Sequence, residues 1–88
     1  MPTVSFFYGI AIRMYLRDHV PPHFHAVYQQ FDANVSIETG DIIEGRLPVA
    51  ARRMVKEWTL LRRDALLQNW HHVRQGLPMR KIAGLDDD

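Results

Sequence analysis

The 88-residue chain contains no cysteine, which rules out disulfides, thiolate zinc sites and cysteine nucleophiles together. It also lacks any run approaching the roughly 20 apolar residues that a membrane helix needs. The opening Met-Pro-Thr-Val-Ser-Phe-Phe-Tyr has neither a basic stretch nor a long apolar core, so a signal peptide is not expected. Internal repeats, low-complexity stretches and linkers are missing too. So are a helix-turn-helix signature and the aromatic-rich strand motif of RNA-binding folds. Together these absences predict one soluble, cytoplasmic domain spanning residues 1–88. The hydrophobic share of 47% and charged share of 24% are ordinary for a folded chain. Such a length supports one modest core.

A formal net charge of +1 conceals an uneven distribution. Residues 1–45 carry two arginines against five acids, a net of −3. Residues 46–81 carry nine Lys/Arg against two acids, a net of +7. The last three aspartates then return −3. Basic charge is therefore confined to the second half.

That halving matches a change in hydrophobic period. Ile10, Ile12, Met14 and Leu16 alternate with Ala11, Arg13 and Tyr15, the period of a strand. Pro21 and Pro22 mark a connection. His23 to Gln29 then resumes the alternation, and after a turn around Phe31-Asp32 so does Ala33 to Glu38. Thr39-Gly40-Asp41 has hairpin-turn chemistry, leading to a short last strand at Ile42 to Glu44. From Pro48, Ala51, Met54, Trp58, Leu61 and Ala65 recur at helical spacing. Past Asp64 the apolar set becomes Leu66, Leu67, Trp70 and Val73, rotated by roughly 130° on a helical projection. A single straight helix cannot bury both sets, so a break is expected near Arg63-Asp64. The prediction is a two-layer α+β domain. Its antiparallel sheet has three or four strands within 9–44, and two helices within 48–75 pack on one face. Residues 77–88 form a tail that packs Ile82 and Leu85.

Three of the five histidines fall within Asp-His-Val-Pro-Pro-His-Phe-His, residues 18–25. Imidazole titrates near neutrality and ligates metals, so this cluster is the main functional clue. Pairing the strands in order collects Arg13, Tyr15, His23, His25, Ser36 and Glu38 on the sheet face that the helices leave open. Three readings of that face stand side by side. One is a divalent transition-metal site with His23 and His25 as ligands, completed by His19, Asp18 or Glu38. Another is acid–base cleavage of a phosphate ester by His19, His23, His25 and Glu38, with Arg13 steadying the developing charge. The third is structural, with the imidazoles serving as strand and turn residues or as binding groups without catalysis. On the helices, Arg52, Lys56 and Arg63 fall within about 40° of one another on one continuous projection. This stripe suits nucleic-acid phosphates or an acidic partner; the plainer reading is a solvated helix surface.

Several segments resemble a known group. These are Met-Pro-Thr-Val-Ser at the start, Phe7-Tyr8-Gly9-Ile10, Ile12-Arg13-Met14-Tyr15, Asp18-His19 and Pro21-Pro22-His23-Phe24-His25. Glu44-Gly45, Leu47-Pro48 and Asn69-Trp70 complete the set. They are similar to domain-of-unknown-function family 4160, except that Arg62 stands where a histidine is expected. The resemblance implies a small stand-alone bacterial protein with no established activity, often encoded beside another small protein in an arrangement like a toxin–antitoxin pair. It carries no site residues. The expected function is an interaction module binding a partner protein or nucleic acid, with a histidine-based or metal-dependent nuclease as the alternative. A homodimer through the open face is a further expectation.

Overall fold

The computed structural model describes residues 3–15 and 21–87. In chain order these form β1 (Thr3–Phe7), β2 (Ile10–Arg13), β3 (His23–Tyr28), β4 (Phe31–Ser36), β5 (Ile42–Gly45), α1 (Val49–Leu61) and α2 (Arg63–Arg74). Each strand pairs antiparallel with the next, giving one sheet of order β1-β2-β3-β4-β5. This is the α+β architecture that the change of period predicts, with the sheet larger than expected. The extra strand is β1. Its alternation is hidden because the register shifts between Thr3 and Ser5, so that Val4 and Ser5 are both buried. A Tyr8-Gly9 turn, with φ of 49° and 80°, joins it to β2, the paired positive angles that hairpin loops favour. The second hairpin turns at Gln29-Gln30 rather than Phe31-Asp32, because Tyr28 and Phe31 are already its closing pair.

One face of this sheet is the floor of the core. Ile10, Ile12, Met14, Phe24, Ala26, Val35 and Ile37 are all buried, with Ala33 among them. α1 lies over them through Trp58, whose ring centroid is 5.1 Å from Phe7 and 5.6 Å from Phe24. Its buried positions are Ala51, Val55, Trp58 and Thr59, so the stripe runs slightly differently from the expected one. Leu61, expected inside, is 61% exposed, because it closes the final turn of α1 where the chain swings away. The break falls at Arg62, whose φ of −110° and ψ of 19° leave the helical region. Beyond it, Leu66, Trp70 and Val73 bury the second apolar set as expected.

Residues 77–87 run back along the molecule and are pinned by hydrogen bonds. The Asn69 amide donates to the Arg80 carbonyl at 2.8 Å and its oxygen accepts the Arg80 N–H at 2.9 Å. Ile82 N–H donates to the Val4 carbonyl at 2.7 Å, using the backbone that the β1 bulge turns outward. The Trp58 indole donates to the Ala83 carbonyl at 2.8 Å. Ile82 is buried and Leu85 partly so, as the tail's apolar pattern predicts. Among the described residues no helix is long and apolar enough to cross a membrane.

Candidate functional site

Residues paired across an antiparallel sheet project to the same side. The register therefore writes the open face as rows. One row is Phe6, Ala11, Val27 and Asp32. The next is Arg13, His25, Asn34 and Glu44. A third places His23 opposite Ser36. Phe6 is 65% exposed, whereas its chain neighbour Phe7 is in the core, which is the alternation expected of a half-covered sheet.

Of the residues picked out by sequence, Arg13, Tyr15, His23, His25 and Ser36 do converge. Arg13 is the direct cross-strand partner of His25. The Tyr15 ring meets His25 edge-on at 4.4 Å between centroids, and the His23 and His25 centroids are 5.4 Å apart. Glu38 is exposed and lies past the end of β4, in the turn toward β5. Asp18 and His19 fall outside the described residues. Among those described, no third His, Asp or Glu joins His23 and His25 in a group that could hold a metal ion.

His23 is set apart by burial and by its hydrogen bond. Its Nδ1 lies 2.9 Å from the Pro21 carbonyl oxygen. A carbonyl only accepts, so Nδ1 is the donor in this bond. The proline pair thus orients the imidazole as well as ending the connection. Trp70 packs 5.5 Å from the His23 ring, and the Arg74 guanidinium lies 5.6 Å from the Trp70 ring centroid. The row therefore continues from the sheet onto α2 as Tyr15, His25, His23, Trp70 and Arg74. Sequence reading assigned Trp70 to the core alone and passed over Arg74; the signal available was their i, i+4 spacing on α2.

The basic stripe is not one surface. Arg52 and Lys56 are exposed on α1, but Arg63 lies on α2 beyond the break and is half-buried. The projection that aligned them assumed a continuous helix, and the bend at Arg62 removes that assumption. The Lys56 ammonium donates to the Asp41 carboxylate at 2.7 Å. That hydrogen bond first, then the charge of Lys56 and more weakly that of Arg52, holds the Asp41 carboxyl below its ordinary 3.8. A lowered folded-state pKa contributes stability that is present above the ordinary value and is lost as pH falls through the folded one. An NMR titration should accordingly put the Asp41 midpoint below 3.8 and return it toward that value in Lys56→Met. A midpoint indifferent to Lys56 would rule out this cause.

Fold and site together define a small α+β domain: a five-stranded antiparallel meander with α1 packed over one face, and an imidazole–aromatic row that runs from the sheet onto α2. The chain belongs to the family described as domain of unknown function DUF4160, whose model matches residues 9–71. That stretch includes β2 to β5, α1 and most of α2, and leaves out β1 and the pinned tail. No curated protein matches the chain, and neither does any solved structure.

Proposed function

We propose that the chain is a small bacterial interaction module that seats a partner protein on the open face of its sheet, as one half of a toxin–antitoxin-like pair. The observation that carries this reading is the pair of adjacent rows: Phe6, Ala11 and Val27 beside Arg13, His25 and Asn34. An apolar strip next to directional polar groups is the make-up of a protein interface, where aromatic residues and arginine concentrate binding energy. A polynucleotide is the poorer occupant. Arg13 and, at the end of the aromatic row, Arg74 stand against Asp32 and Glu44, a net of zero with the histidines counted neutral, whereas nucleic-acid binding draws on excess positive charge.

The test is co-expression with the protein encoded next to it, followed by measured affinity. Phe6→Glu and Arg13→Glu should each weaken the complex by about thirtyfold, the equivalent of roughly 2 kcal/mol, while circular dichroism stays unchanged. Full affinity in both variants would refute the assignment of this face.

A histidine-based nuclease is the second reading, favoured by one specific arrangement: two imidazoles side by side with Arg13 across from His25. One ring taking a proton and the other returning it, with a cation beside the phosphate, is competent acid–base chemistry. The same preparations separate the two readings. RNA cleavage by the purified chain that disappears in His25→Ala, with partner affinity retained, would favour the nuclease.

A further inference from the structure

The β4–β5 turn and the early turns of α1 enclose a cleft of about 360 Å³ lined by Gly40, Asp41, Ile42, Arg52, Arg53 and Lys56. Three cations stand there against one carboxylate, a net of +2. The wall facing them is a turn closed by hydrogen bonds. Gly40 N–H donates to the Ser36 carbonyl at 2.8 Å, Ser36 N–H to the Asp41 carbonyl at 2.9 Å, and Asp41 N–H to the Thr39 hydroxyl at 3.1 Å. A Cβ at position 40 would lie 3.2 Å from Lys56 Cγ, so the turn rests directly against the helix.

Within the cleft the charges are unequally used. Lys56 is engaged by Asp41. Arg52 and Arg53 form no ion pair among the described residues. They also stand early in α1, which has neither an acidic residue in its first turn nor a side-chain cap on its N-terminus. A helix start carries partial positive charge and is normally answered by carboxylates. Here the side chains add charge of the same sign. The concave shape and the surplus cations favour an incoming anion.

We infer that this cleft binds a small phosphorylated ligand, with the phosphate held by the Arg52 and Arg53 guanidinium groups and the Asp41–Lys56 pair forming its rim. Phosphate is preferred over a carboxylate because a dianion gains more from surplus positive charge, and because guanidinium matches phosphate oxygens bidentately. A small ligand is preferred over a polynucleotide because the cations are gathered in one pocket. Arg63, which would extend them into a track, lies beyond the helix break. This site is separate from the open sheet face and does not depend on what docks there.

Backbone-amide NMR of the whole chain, titrated with inorganic phosphate at constant ionic strength, tests the inference, with sodium chloride and a single-stranded RNA as the other arms. Phosphate should shift the amides of Gly40, Asp41 and residues 51–53 saturably. Arg52→Ala combined with Arg53→Ala should weaken binding at least tenfold, and Asp41→Asn, which removes the competing carboxylate, should tighten it severalfold. A response matched by chloride, or unchanged in the double variant, overturns the site. RNA binding to the same amides in the absence of a phosphate response overturns the small-ligand assignment.

Discussion

Trp58→Ala should remove about 3–5 kcal/mol of stability, the usual range for deleting a buried aromatic. Trp58 is fully buried between Phe7 of β1 and Phe24 of β3, and its indole N–H is bonded to the Ala83 carbonyl. One side chain therefore joins sheet, helix and tail. Domains of this size hold only about 5–15 kcal/mol in total, so the variant should melt about 20 °C lower. Trp58→Phe separates the contributions. It keeps most of the packing and loses the hydrogen bond, and should cost about 1–2 kcal/mol. Denaturant unfolding of both variants measures the difference. Equal losses would mean that the hydrogen bond, rather than the packing, dominates.

Gly45→Ala should cost about 3 kcal/mol, although it adds a single methyl group to an exposed strand end. Position 45 has a φ of 82°, where any side chain is strained. A Cβ there would press on the Asp32 carbonyl oxygen and come within 2.9 Å of Ala33 Cα. Those are backbone atoms of the paired strand β4, so they cannot swing aside as a flexible side chain would. Gly76 supplies the control. Its φ is 75°, yet nothing lies within 4 Å of the corresponding Cβ. Gly76→Ala should then show the conformational cost alone, about 1 kcal/mol. Equal melting temperatures for the two variants would argue that the close approach to β4 is harmless.

Alternation along β2, β3 and β4 was enough to place Arg13, Tyr15, His23 and His25 on one face, because a period of two admits no other side once Ile12, Phe24 and Val35 go inside. The helix break was legible for a similar reason: Trp58 and Trp70 cannot both face one sheet from a straight cylinder. β1 was not legible. The bulge at Val4 puts Val4 and Ser5 inside together, which cancels the strand period over five residues. Nor was the division of the basic stripe. Arg63 aligns with Arg52 only on an unbroken helix, and the exact residue of the break is a tertiary outcome. The helical pattern gives Asn69 no role, and its role appears only when residue 80 comes to lie beside it.

The hydrogen bond from Ile82 to Val4, together with that from Lys81 to Thr3, spans nearly the whole length of the chain. During synthesis the outer side of β1 consequently waits, with its hydrogen-bonding groups unmet, until residues 80–84 leave the ribosome. An unmet strand border recruits other strands, so the nascent chain is most prone to aggregate in that interval, and a stalled or shortened product would be expected to collect in inclusion bodies.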